Sequence, residues 1–187
     1  MNSSRMDLQK SQLRRLLRRR LGRMTKPERE RKSRRILTRL LKTREYRNVS
    51  RIFTYISLPA EVQTLELIQK SLALRKRVFV PAVHLRKKEI SVFEIRNIKS
   101  DLKRGAFGIL EPIKKRLGRP EKLEMVIVPG LGFDAKGGRL GRGEGYFDRF
   151  LPRTVKASKI GLAFREQIVR KIPTGAHDIR VDRVITD

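Results

Sequence analysis

The sequence predicts an α/β protein built on a mostly parallel sheet, and three observations carry that expectation. From residue 51 onward, short β-branched or aromatic runs alternate with helical patterns, the order that builds a parallel sheet through crossover helices. LEMVIVPGLGF (123–133) is the most apolar run of the chain and the candidate central strand. Directly after it comes GGRLGRGEGYFDRF (137–150), with five glycines, three arginines and two acids. An open parallel sheet holds its ligands in such a place, beyond the carboxyl end of a strand.

In chain order, Asp7 is expected to cap a first helix, whose apolar positions Leu13, Leu16, Leu17, Leu21 and Met24 recur at three- and four-residue steps. Gly22 lies near its end. Thr25-Lys26-Pro27-Glu28 reads as a capping box with proline inside the first turn. It opens a second helix with Ile36, Leu37, Leu40 and Leu41 as its buried stripe. The pair reads as a basic helical hairpin (1–48) ahead of an α/β body (49–187), all within one domain, 1–187. RIFTYISL (51–58) reads as a strand and TLELIQKSLAL (64–74) as a helix capped by Thr64. RVFVPAV (77–83) reads as a short buried strand ending at Pro81, and EISVFEI (89–95) alternates like a half-exposed strand. KRGAFGILEP (103–112) is rich in turn residues. A helix is expected through Tyr146, Phe147, Phe150 and Leu151, then strands at KIGLAF (159–164) and DRVITD (182–187).

Composition narrows the function classes. No run approaches the eighteen apolar residues of a membrane span. The chain has no cysteine, which removes disulfides, thiolate nucleophiles and cysteine-based zinc sites, and fits a reducing compartment. A cytoplasmic monomer is expected. Net charge is +28, and residues 1–50 carry eighteen Lys or Arg against four acids, half of the excess. Such a field attracts nucleic acid, anionic lipid or phosphorylated ligands, although a solvated helical face accounts for much of it. The Arg-rich start has the composition of a transit peptide, but it runs straight into the second patterned helix and is read as part of the mature protein.

The glycine stretch points to phosphate. Glycines permit positive φ and close approach of backbone amides to an anion, and a helix N-terminus adds oriented N–H groups. Arg139 and Arg142 bring guanidinium forks suited to phosphate oxygens. Asp148 suits a magnesium ion that bridges those phosphates. The stretch matches neither the G-x-x-x-x-G-K-[ST] loop nor the G-x-G-x-x-G fingerprint. A glycine-rich surface turn with solvated charges is the plain alternative.

VPGLGFDAKGGRLGRGEGYFDRFL (128–151) resembles the signature of the 5-formyltetrahydrofolate cyclo-ligase family, whose pattern is V-P-G-x-x-F-D, a short gap, then G-x-R-L-G-x-G-x-G-[YF]-[YF]-D. KSQLR (10–14), YISLPAEVQT (55–64), GAFGILEP (105–112) and AHDIRVDRVIT (176–186) are similar to the family's other motifs and occur in its order. The resemblance implies a three-layer α/β/α sandwich with a Rossmann-like sheet. It also implies Mg-ATP-dependent conversion of 5-formyltetrahydrofolate to 5,10-methenyltetrahydrofolate, releasing ADP and phosphate. The active site is then expected between the glycine loop, the first helix and the 56–64 loop.

Residue by residue, the resemblance places Lys10 and Arg14 at ATP-contacting positions. They are four apart and so share one helix face. Arg139, Leu140, Gly141, Arg142, Gly143, Glu144, Gly145, Tyr146 and Phe147 match the ATP loop, with Arg142 and Tyr146 also beside the folate as catalytic candidates. Asp148 and Asp178 match magnesium ligands. Glu61 matches the folate-binding glutamate, where a carboxylate can accept paired N–H donors of a pterin, and Ile56 falls at an apolar substrate-lining position. The basic surface is expected to favour a polyglutamylated folate tail. Glu144 stands where many relatives carry lysine. It either points outward, pairs with Arg139 or Arg142, or weakens ATP binding. Two alternatives to an active cyclo-ligase follow: a relative that binds nucleic acid, weakly and without sequence preference, and one that binds folate without ATP turnover.

Overall fold

The structure, a computed structural model, describes residues 3–105, 110–113 and 116–187. Six strands make the main sheet: β1 (Arg51–Phe53), β2 (Arg77–His84), β3 (Glu89–Ile95), β6 (Met125–Val128), β9 (Ser158–Leu162) and β10 (Arg183–Ile185). They lie in the order β10-β9-β6-β1-β2-β3. All neighbours are parallel except the edge pair β2–β3. Two small antiparallel ribbons join them: β4 (Leu102–Arg104) with β5 (Leu110–Pro112), and β7 (Gly132–Phe133) with β8 (Arg139–Leu140).

The central run behaves as a strand covered on both sides. Its residues alternate between two hydrophobic layers, Met125 and Ile127 on one face, Val126 and Val128 on the other. The first layer is closed by α2 (Lys26–Lys42), through Ile36, Leu37 and Leu40, and by Leu67 of α4 (Leu65–Ala73). Short helices α3 (Arg44–Asn48) and α5 (Ile98–Asp101) precede β1 and β4. The second layer is closed by Phe150 of α6 (Tyr146–Phe150), with Leu151 of the following turn. This is the α/β/α layering expected, and the two-residue period of a pleated strand is its cause.

Several boundaries move, each for a local reason. The first helix, α1 (Ser3–Gly22), begins before Asp7, which lies inside it rather than capping it. Met6 closes against Gly175, so a tertiary contact supports the earlier turn. The strand expected over 51–58 stops at Phe53. Beyond it the Tyr55 carbonyl accepts the Thr64 hydroxyl at 2.7 Å, and the Tyr55 hydroxyl donates to the Val62 carbonyl at 3.1 Å, folding the segment back on itself. Thr64 stands at the cap position of α4 but makes no capping bond, its hydroxyl being spent on Tyr55. β2 runs past Pro81 to His84. β1 has ended by that level, so no neighbour on that side needs the missing donor. Residues 106–109 of the GAFGILEP segment lie outside the described residues.

At the N-terminus, Thr25 does cap α2, accepting from the Glu28 amide at 3.3 Å. The helices anchor on different parts of the body. Leu17 of α1 packs with Leu140 and Ile172, whereas the α2 stripe enters the sheet layer, joined there by Leu21 and Met24 at the connection. Among the described residues no helix is long and apolar enough to cross a membrane.

Candidate active site

Strand order locates the site. From β1 the chain builds outward to β2 and β3, then crosses back to lay β6 on the opposite side of β1. The crevice beyond the carboxyl ends of β1 and β6 is therefore the topological switch point, where open sheets bind ligands. The segment after β1 carries Glu61. The segment after β6 carries the glycine stretch.

That stretch is more built than a loop. β7 and β8 pair across it, so Arg139 is only 5% exposed and Leu140 turns its side chain into the core beside Leu17. The turn between them is held by Asp134, itself buried. One carboxylate oxygen accepts the Lys136 and Gly138 amides at 2.9 and 2.8 Å, and the other accepts the Ile172 amide at 2.8 Å. Gly137 has φ +76°, and a Cβ there would collide with the Val181 carbonyl, so glycine is required both by conformation and by space. α6 has only five residues, with Gly145 at φ +68° as its cap. The dipole of so short a helix is small, and the charge available to an anion is chiefly that of the arginines.

The charged residues form three ion pairs drawn from four parts of the chain. Lys10 Nζ lies 2.5 Å from Asp178 Oδ2. Arg14 Nε donates to the Gly141 carbonyl at 3.0 Å, docking α1 on the loop. Arg139 Nη2 lies 2.5 Å from Asp148 Oδ1, and its guanidinium rests over the Phe147 ring at 5.9 Å. Arg142 Nη2 donates to Glu61 Oε1 at 2.7 Å, spanning the crevice. Glu61 is fixed from behind by the Leu58 amide on Oε2 at 3.0 Å. Burial works against ionisation of Asp178, but the Lys10 and Gly175 hydrogen bonds and the nearby Lys10 and Arg139 charges outweigh it and hold the carboxyl below its ordinary range.

Glu144 points outward. It is exposed and pairs with Lys88 at 3.4 Å, not with Arg139 or Arg142. Tyr146 is half-buried with the Arg149 guanidinium over its ring at 5.7 Å. Arg149 also bonds the Glu144 and Lys88 carbonyls, at 2.8 and 2.9 Å. Ile56 is half-buried against the cluster of Ile68, Val78 and Val80, on the same loop as Glu61. Gly143, at φ +119°, lies against Arg14, whose guanidinium would be 3.8 Å from a Cβ placed there.

Asp148 and Asp178 each engage one oxygen with protein donors, Oδ1 and Oδ2 respectively, and the second oxygen of each has no partner among the described residues. Those residues contain no cluster of three or more His, Cys, Asp or Glu that would cage a metal. Two carboxylate oxygens suit a hard cation that carries most of its own shell, as Mg²⁺ does with water and phosphate.

Asp134 and Arg149 carry no role in the sequence reading. Asp134 stands in the quoted F-D pair, so its position was visible while its function was not; Arg149 showed no signal. Asp134→Asn keeps the size of the side chain but sets an amide N–H₂ against backbone N–H groups. The expected cost is about 2–3 kcal/mol, a thermal midpoint lower by roughly 5–10 °C. Burial penalises the Asp134 charge, but the Ile172, Gly138 and Lys136 amides prevail and depress its pKa. Its stabilising contribution is therefore full above the unfolded carboxyl value of about 4 and fades as pH falls below it. Urea titrations between neutral and acid pH should show the wild type losing more stability than the variant over that window.

Fold and site together define an α/β protein with ion-paired cationic and acidic side chains gathered at the switch point of its sheet. The chain belongs to the 5-formyltetrahydrofolate cyclo-ligase family, an enzyme family of ligases, whose profile matches residues 7–187. A probable 5-formyltetrahydrofolate cyclo-ligase of Caenorhabditis elegans is 30% identical, over 94% of this chain and 91% of that one. The 5-formyltetrahydrofolate cyclo-ligase of Haemophilus influenzae is 34% identical, over 67% and 69%. The solved 5,10-methenyltetrahydrofolate synthetase of Aquifex aeolicus superposes with a TM-score of 0.82 at 34% identity, covering 95% of this chain and 89% of that one.

Proposed function

We propose that this chain converts 5-formyltetrahydrofolate to 5,10-methenyltetrahydrofolate with ATP and Mg²⁺. The observation that carries the reading is the set of three ion pairs, Lys10–Asp178, Arg139–Asp148 and Arg142–Glu61. It gathers the motif residues of four chain segments at one crevice, with cations for phosphate and carboxylates for a cation and a pterin. The formyl oxygen attacks the γ-phosphorus of ATP as the bond to the β-bridging oxygen breaks and ADP departs. N10 then attacks the formyl carbon, its proton is lost, and the former formyl oxygen leaves within inorganic phosphate. Phosphoryl transfer needs chiefly positioning and charge neutralisation, which Lys10, Arg14, Arg139 and Arg142 can supply without a serine, cysteine or histidine nucleophile. Magnesium held by Asp148 and Asp178 would screen the phosphate charges. Glu61 would orient the pterin through its N–H groups, with Ile56 as an apolar wall and Arg142 and Tyr146 beside the formyl group. Glu144, directed to solvent and paired with Lys88, leaves the cradle cationic, which favours ATP turnover over folate binding alone. A polyglutamate tail would gain from the surrounding positive field.

The test is near-ultraviolet absorbance of the methenyl product with 5-formyltetrahydrofolate, Mg²⁺ and purified protein. Growth is expected only with ATP, and one phosphate should appear per product. Folate binding without ATP-dependent growth would overturn the proposal.

A further inference from the structure

The cyclo-ligase reading uses Lys10 and Arg14 and leaves the charge on the outer faces of α1 and α2 unused. Lys10, Arg14 and Lys32 face inward, and the remaining basic residues lie largely on the opposite sides of the two helices. On α1, Arg15, Arg18 and Arg19 are exposed, turned away from the buried Lys10, Leu17 and Leu21. On α2, Arg31, Arg34 and Arg35 are exposed opposite Ser33, Ile36, Leu37 and Leu40. At three- and four-residue spacing each set makes one stripe.

None of these six arginines has a hydrogen bond, ion pair or ring contact among the described residues. Of the four acids in 1–50, Glu28 pairs with Lys32, Glu30 with Lys26 and Glu45 with Arg183, and Asp7 lies on α1 about two helical turns before Arg15. Two consecutive helices thus each present an exposed stripe of arginines with no ion pair among the described residues.

We infer that the outer faces of α1 and α2 form a binding surface for the phosphate backbone of double-stranded nucleic acid, separate from the crevice and indifferent to sequence. Fourteen of the eighteen basic residues in 1–50 are arginine, whose planar fork pairs with phosphate oxygens two at a time. The aromatic in that segment, Tyr46, is buried, so no ring is offered for stacking. That favours a duplex, whose charge lies outside and whose bases stay paired, over a single strand held by base stacking. An anionic membrane fits less well. The α2 stripe and Leu17 and Leu21 of α1 are buried in the core, and Leu8 is the exposed large apolar side chain of the two helices, whereas an interfacial helix needs a whole apolar face free.

The experiment is fluorescence anisotropy of a labelled mixed-sequence duplex of 20 base pairs with the full chain, between 50 and 200 mM KCl. About six neutralised phosphates would give a log–log salt slope near −5, an affinity loss of about 10³-fold over that range. R15Q/R19Q/R31Q/R35Q should reduce the slope by about 3 to 4 and leave product formation in the crevice unchanged. Should that variant not fold, R15Q/R19Q and R31Q/R35Q should each remove roughly half as much. As a control for net charge, R86Q/K87Q/R153Q/K156Q removes four cations elsewhere and should leave the slope near the wild-type value. The inference is overturned by no binding at 50 mM KCl, by an equal effect of the control variant, by tighter binding of single-stranded oligothymidine, or by preferential binding to phosphatidylserine vesicles at the same salt.

Discussion

Arg139→Lys is expected to lower turnover by roughly 10²–10³-fold, the scale set by removing a preorganised charge-stabilising donor, while the protein stays folded. Arg139 holds three things at once. One terminal nitrogen meets Asp148 at 2.5 Å, the other reaches the Pro129 carbonyl at 3.3 Å, and the plane of the group rests over Phe147. It is also one of the charges that keeps Asp178 ionised. A lysine retains the charge but is a single point on a flexible stem, unable to fork or stack. With Asp148 no longer oriented, the magnesium position proposed there would loosen together with the phosphate position. Single-turnover product formation measures the chemical loss, and a thermal melt shifted by only a few degrees separates it from unfolding. A variant with near-normal turnover would show that Arg139 is a packing residue and no more.

Glu61→Gln should raise the KM for 5-formyltetrahydrofolate by about 10- to 100-fold, the value of one or two hydrogen bonds to a charged group. Its second effect is more diagnostic. Glu61 and Arg142 face each other across the crevice at 2.7 Å, so in the proposed site the residue for the pterin and a residue for the phosphates occupy each other when no ligand is bound. A nucleotide that draws Arg142 away releases Glu61, and a folate that engages Glu61 releases Arg142. Each substrate should therefore strengthen binding of the other by the same factor, within the 5- to 150-fold span usual for coupled sites. Calorimetric titration of folate with and without a non-hydrolysable ATP analogue gives that factor directly. In the variant it should fall toward one, whatever happens to the separate affinities. A factor that persists would place the coupling elsewhere.

How much of the site was legible depends on what each residue does with its neighbours. Arg139, Arg142 and Asp148 stood out because glycines and charges were adjacent in one stretch. Lys10, Glu61 and Asp178 looked like ordinary surface charges until the motif resemblance singled them out, because their partners lie 168 and 81 positions away in the chain. Asp134 escaped notice for a related reason. Its work is to accept backbone amides, and every residue but proline has one, so the sequence around it carries no complementary signal. Leu140 shows another side of this: it stands in the expected ligand loop, yet its side chain is buried with Leu17 and Ile172 because β7 and β8 pair and turn it inward.

What the sequence by itself determined was class and content. The alternation of strand and helix patterns from residue 51 onward, the helical spacing of Ile36, Leu37 and Leu40, and the glycine stretch after the most apolar run were enough for an α/β protein with a phosphate-seeking loop. Those features are local, since pleat, helical turn and glycine freedom act over a few neighbouring residues. Only the tertiary structure decided which strand lies beside which, and that Glu144 faces Lys88. It also decided that the strand after Arg51 ends at Phe53 so that Glu61 can turn back toward Arg142. Strand order is chosen by burial of both faces of the sheet together, a condition on the whole chain. By laying β6 against β1, that same choice opened the crevice in which the scattered charges meet.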